Sequence, residues 1–189
     1  MSIDQGGNMK RLLALVMVGV LSGSVALGQG GSIGMFTDGS GTDCNMAVTP
    51  SIVVAIHLVH MRASVPVCGV VFKTTPPECF DATFVSIQGP FPETFTGTLE
   101  DGWIANYFGP VTTPVYFGVM YFATGPGTSP CCYFTVQPHP MYGLAAWNCA
   151  NGMLPATGGT LILNPNPSCT CDVPARETTW GTIKAIYRG

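Results

Sequence analysis

The sequence predicts an all-β protein: an antiparallel β-sandwich or jelly roll of about nine strands, stapled by disulfides. Three observations carry this. Of 189 residues, 24 are Gly and 16 are Pro, which breaks the chain too often for long helices. Only 9% are charged, so the Lys, Glu, Gln and Ala runs that solvate the outer face of a helical bundle are missing. Between the breaks lie short runs rich in β-branched and aromatic residues, at near-regular spacing. A hydrophobic fraction of 47% and a net charge of −3 place the chain among proteins that fold around a core.

The elements follow in order. Lys10 and Arg11, the apolar run 12–21 (LLALVMVGVL) and the small residues Gly23, Ser24 and Ala26 read as a secretory signal over residues 1–28. Residues 1–8, ahead of Met9, read as a start-site extension. Ten apolar residues fall short of the roughly 20 that cross a bilayer, and no membrane span is expected in the mature chain. Residues 29–175 then read as one sandwich domain and 176–189 as a tail. The clearest strand is 51–60 (SIVVAIHLVH), with Ile52, Val54, Ile56 and Leu58 on one face directed to the core. Further strand-like runs are 33–36, 65–72, 83–88, 103–108, 115–123, 133–136, 141–147 and 159–163, each bounded by Pro, Gly, Asn or Asp. In the tail, Trp180, Ile183 and Tyr187 recur at helical spacing after Thr178 and Thr179; a short helix or a last edge strand both fit.

Eight cysteines (Cys44, Cys68, Cys79, Cys131, Cys132, Cys149, Cys169 and Cys171) all follow the leader. An even count in an oxidising compartment reads as disulfides. Spacing leaves the partners open, beyond disfavouring the strained pairs Cys131–Cys132 and Cys169–Cys171. The rival zinc reading lacks CxxC spacing.

Two resemblances add to this. The stretch 34–45 (GMFTDGSGTDCN), the stretch from Gly158-Gly159 to Asn164-Pro165 leading into Ser168-Cys169-Thr170-Cys171, and the terminal TTWGxIK resemble an uncharacterised family of small secreted bacterial proteins. That resemblance implies export and names no activity. Residues 53–122, with Gly102-Trp103 between strands and a long apolar strand late, are similar to cohesin-type β-sandwiches, which implies fold.

The sharpest candidate site is Asp38-Gly39-Ser40-Gly41-Thr42-Asp43, where Asp38, Ser40, Thr42 and Asp43 offer oxygen ligands in a DxSxT pattern. Calcium is the cation such a set would take. An adhesion-type metal site needs a helix to follow, and an EF-hand loop needs Gly at its sixth position and Glu at its twelfth; neither is present, so the segment reads as a Gly-rich turn. No metal or cofactor is expected. His57 and His60 spell HxxH, but residues three apart on a strand point to opposite faces. His139, between Pro138 and Pro140, reads as a solvated loop residue.

Catalysis finds little footing. There is no GxSxG elbow, and Glu78, Asp81, Glu93, Glu100 and Asp101 are carboxylates with no fixed separation. With 7 Lys and Arg, the chain cannot neutralise a line of phosphates, which excludes a nucleic-acid partner. Aromatics offer a route to binding: Trp103, Tyr107 and Trp180 are candidates to stack on a ligand, against the alternative that they pack the core. In strand 115–123, alternation puts Phe117 and Tyr121 on one face and Tyr116 and Phe122 on the other. The expected function is a non-catalytic module, outside the cytoplasmic membrane, that binds a protein or glycan or self-assembles. The alternative is a secreted hydrolase using a carboxylate pair.

Overall fold

A computed structural model of the chain describes residues 29–61, 63–89 and 94–171. The predicted leader, Glu93, and the tail with Trp180 and its expected helix or strand lie outside the described residues.

Thirteen strands, numbered in chain order, form two sheets, and there is no helix among the described residues. The smaller sheet runs β12 (Thr157–Gly158), β1 (Ser32–Phe36), β3 (Val53–His60), β8 (Val115–Thr124) and β5 (Ala82–Gln88). The larger runs β11 (Met153–Pro155), β10 (Ala145–Trp147), β4 (Val67–Thr74), β9 (Cys132–Gln137), β13 (Thr160–Leu163) and β2 (Asn45–Met46). On the other side of β4 lies β7 (Gly102–Val111), which pairs in turn with β6 (Thr94–Thr98). The long apolar strands β3, β4, β7 and β8 make the centre of both sheets because each carries a period-2 apolar face.

Those faces meet in one core. From the smaller sheet come Ile33, Met35, Ile56, Leu58, Phe117, Met120 and Phe122, and from the larger Phe72, Trp103, Phe134, Leu161 and Leu163, all buried. Phe80 closes one end, its ring 5.4 Å from Phe122 and 6.0 Å from Phe134. Thr74 is carried into the core as an acceptor for the Trp103 indole N–H at 2.8 Å, which satisfies both groups.

The sheets differ from the sequence expectation in four particulars. They are mixed: β1 pairs with β12, and β13 with β2, in parallel. Both added partners are two residues long, too short to leave a periodic trace. Ile52 precedes β3 and is 45% exposed, whereas Val54, Ile56 and Leu58 point inward as expected. The register between β3 and β8 shifts between Leu58 and Val59, so that Gly118 faces Leu58 and Tyr116 faces Val59. The skipped residue is Phe117, and the extra residue reverses the alternation, which places Phe117 and Phe122 both in the core. Finally, in the run 141–147 only the last three residues form a strand, because the chain from His139 to Gly143 closes as a turn.

Candidate binding surface

All eight cysteines pair, as Cys44–Cys171, Cys68–Cys149, Cys79–Cys132 and Cys131–Cys169. Four disulfides suit an oxidising, extracytoplasmic environment.

The Asp38 loop folds back on itself. Asp38 Oδ1 accepts from the Ser40 amide at 2.7 Å and from the Ser40 hydroxyl, while Oδ2 accepts from the Thr42 hydroxyl at 2.9 Å and the Asp43 amide at 2.9 Å. Burial works to raise the pKa of Asp38, but the bonds from Ser40 and Thr42 outweigh it and hold the group at about 2. The lone pairs a cation would use are occupied by the loop's own donors. Beyond the loop, Gly39 comes against His57 and Tyr116, and Gly41 against Met61 and Phe36, so the loop covers part of the outer face of the smaller sheet. Among the described residues, no three His, Cys, Asp or Glu side chains gather as metal ligands.

The two histidines of HxxH part company. His57 lies on the outer face, its Nδ1 3.2 Å from Tyr116 Oη, and burial lowers its pKa while the charge of Asp38 partly offsets the change. His60 is 1% exposed between the sheets, with Nε2 2.7 Å from Gly30 O and Nδ1 2.9 Å from Tyr107 Oη. The carbonyl can only accept, so Nε2 carries the proton and Nδ1 accepts from Tyr107, a fully satisfied neutral ring. Asp38, whose charge acts on His57, is turned to its own loop.

Two of the proposed stacking aromatics are core residues. Trp103 and Tyr107 are 4% and 5% exposed, because β7 turns Trp103, Ala105 and Tyr107 inward. Their outward neighbours are Gly102, Ile104, Asn106 and Phe108. Pairing extends this outer face across the sheet. One row is Met153, Trp147, Gly69, Asn106 and Thr94; the next is Pro155, Ala145, Val71, Ile104 and Thr96. Trp147 lies flat on Gly69, where a Cβ would stand 2.2 Å from the indole and 2.5 Å from Ala105 O. Only Gly lets that ring rest on the sheet.

His139 corrects the solvated-loop expectation. It is 7% exposed and anchors a closed turn. The His139 amide donates to Gly143 O at 3.0 Å, the Gly143 amide returns the bond at 2.9 Å, and the Met141 amide donates to His139 Nδ1 at 3.1 Å. Gly143 takes φ 72°, which the return requires. The imidazole packs on Gly102, where a Cβ would be 2.5 Å away, and so sets the turn beside the end of the β6–β7 hairpin. Met141 and Tyr142 project from its tip, 76% and 50% exposed. Between turn and hairpin opens a groove of about 350 Å³, lined on the sheet side by Thr96, Gly97, Asp101, Gly102 and Ile104.

The exposed apolar side chains are therefore unevenly divided. Among the described residues, Phe108, Tyr133, Tyr142, Met141 and Met153 all stand on the outer side of the larger sheet, leaving Ile52, Val53 and Val85 elsewhere. The residue types alone did not separate Phe108 and Tyr142 from the aromatics of the core. The usable signal was position: Phe108 lies an odd number of residues from Trp103 and Tyr107, and hence on the other face.

No protein-family model matches the sequence, and no curated protein does. Solved structures similar to the chain include cohesins. The seventh ScaB type I cohesin from Pseudobacteroides cellulosolvens is 10% identical over 78% of this chain and 97% of that one, with a TM-score of 0.46. The structure of the sixth cohesin from Acetivibrio cellulolyticus scaffoldin B, in complex with a Cel5 dockerin, gives 13% identity over 71% and 98%, with a TM-score of 0.47. A chain of a CaDoc0917–CaCohA2 complex gives 9% identity over 70% and 98%, with a TM-score of 0.49.

Proposed function

We propose that this chain is a non-catalytic binding module, exported from the cytoplasm, that engages its ligand with the outer face of the larger sheet. The observation that carries this reading is the exposure of Phe108, Tyr133, Met141, Tyr142 and Met153 on that side, with Met141 and Tyr142 adjoining at the groove beside the β6–β7 hairpin. The opposite face is partly covered by the Asp38 loop, so the two sides of the sandwich are not equivalent. Four disulfides support export, as does the leader-like segment 1–28. Against a hydrolase stands the engagement of Asp38, the carboxylate whose charge acts on His57, with its own loop.

The test is retention of the purified chain on immobilised polysaccharides and on extracytoplasmic proteins of the source cells. Phe108→Ser and Tyr142→Ser are expected to weaken retention by about tenfold or more, with a change in stability within roughly 0.5 kcal/mol. Val53→Ser and Val85→Ser, on the other sheet, should leave retention unchanged. Retention that survives every substitution on the larger sheet's face would remove this reading.

A further inference from the structure

Resting on that reading of the face, we infer that the groove between the His139–Gly143 turn and the β6–β7 hairpin holds one unit of a neutral, β-linked pyranose glycan.

The argument starts from Tyr142. Its ring is half exposed and is backed by the His139 imidazole at 5.1 Å between centroids, tilted by 36°. The turn that carries it is closed by two backbone hydrogen bonds and fixed on Gly102, so the ring is a preset platform rather than a mobile side chain. The C–H groups on the flat side of a pyranose are attracted to the negative face of such a ring.

Beside the platform stands a carboxylate held in place. Thr98 Oγ1 donates to Asp101 Oδ2 at 3.0 Å and accepts from the Asp101 amide at 2.9 Å. Oδ1 has no hydrogen-bond partner among the described residues and is left to accept from sugar hydroxyls, which are neutral donors making charge-assisted bonds. The Thr96 hydroxyl adds a group able to donate or accept. Gly97, at φ 128°, puts no side chain of its own at the groove edge, so a ligand can approach that stretch of the hairpin closely.

Charge and shape select the class. Asp101 lines the groove with Glu100 next to it in the chain, and no Lys or Arg is among the lining residues, which disfavours uronates, sialic acids and phosphates. The groove is too open to enclose a small molecule on all sides. An extended polymer touched along one side fits that form; a folded sugar cluster does not.

The experiment titrates the full chain with cellopentaose, xylopentaose and mannopentaose, and with tri-galacturonate as the anionic comparison, following Tyr142 and Thr96 by NMR. Saturable binding of at least one neutral pentasaccharide is expected, tighter than tri-galacturonate. Tyr142→Ala and Asp101→Asn should each weaken it by about tenfold or more, while Val85→Ser should not. Two results overturn the inference: no shift with any neutral oligosaccharide up to roughly 10 mM, or binding indifferent to both groove substitutions. In the first case, retention on an extracytoplasmic protein that still depends on Phe108 and Tyr142 would keep the face as a binding surface with a protein ligand. Loss of that dependence as well would end both.

Discussion

At the scale of single residues, His60 has the most to lose from a change of pH. Burial between the sheets lowers its pKa, and the hydrogen bond to Gly30 O only partly offsets that. A folded pKa below the unfolded value near 6.5 means that the unfolded chain binds more protons once the pH drops below about 6.5. Stability is therefore full above that value and declines as the pH falls towards the folded pKa. His57, also lowered, acts in the same direction, and Asp38, held at about 2, adds a further loss below pH 4. Denaturant unfolding at pH 7.5 and 5.0 should show the decline, and His60→Gln should flatten much of it; a flat profile in the native chain would refute the assignment. Tyr107→Phe, which removes the donor to Nδ1, is expected to cost about 1–3 kcal/mol. At Asp38 the prediction is an absence of effect: millimolar calcium should leave Tm unchanged, since a bound ion would raise it by mass action. A rise that vanishes in Asp38→Ala would show a true cation site. The sequence exposed Asp38 and the HxxH pair by spacing alone, but not which lone pairs were free. That is decided by donors two to five residues away and by partners across the sandwich, such as Tyr107.

Among elements, the long central strands were legible because each is eight to ten residues of period-2 pattern with β-branched and aromatic residues. The short ones were not. β6 is Thr-Phe-Thr-Gly-Thr, an edge strand with one inward apolar residue, and β2, β11 and β12 carry two or three residues each. Such strands are set by the neighbour they pair with rather than by their own composition. The reversal at Phe117 was hidden for a related reason, since a bulge is a property of two strands in register. The candidate face depends on a similar pairwise fit, the Trp147 ring over Gly69. Gly69→Ala puts a methyl group 2.5 Å from a backbone oxygen as well as against the indole, so neither neighbour can yield cheaply. We expect a loss of about 1–3 kcal/mol together with a change in Trp147 fluorescence as the ring lifts. An unchanged Tm and spectrum would mean that the indole does not rest on the sheet.

For the whole molecule, the cysteines could be recognised as staples from their even count, whereas their partners are tertiary contacts that only the closed sandwich brings together. The four bridges are not distributed evenly. Cys79–Cys132, Cys131–Cys169 and Cys44–Cys171 gather around the β9–β13–β2 side, joining the segment before β5 to β9, the start of β9 to the segment after β13, and that segment to the approach to β2. Asn45 reinforces the last by accepting from the Cys171 amide at 2.9 Å and donating to its carbonyl at 3.2 Å. Cys68–Cys149 stands apart and ties the β10–β11 ribbon to β4, to which β10 is otherwise joined by three register pairs. With sequence separations of 38 to 127, chain entropy assigns each bridge about 4–5 kcal/mol in isolation, and length alone distinguishes them by only about 1 kcal/mol. Position must then decide how each loss is felt. Cys68→Ser with Cys149→Ser should loosen the ribbon that carries Trp147 and Met153, weakening ligand retention while the core around Trp103 still unfolds cooperatively. Full reduction removes all four constraints from a domain whose stability is of order 5–15 kcal/mol, and should unfold the chain at 37 °C. Near-ultraviolet circular dichroism of the reduced protein separates the outcomes: a native spectrum retained after complete reduction would show that the core alone sustains the fold.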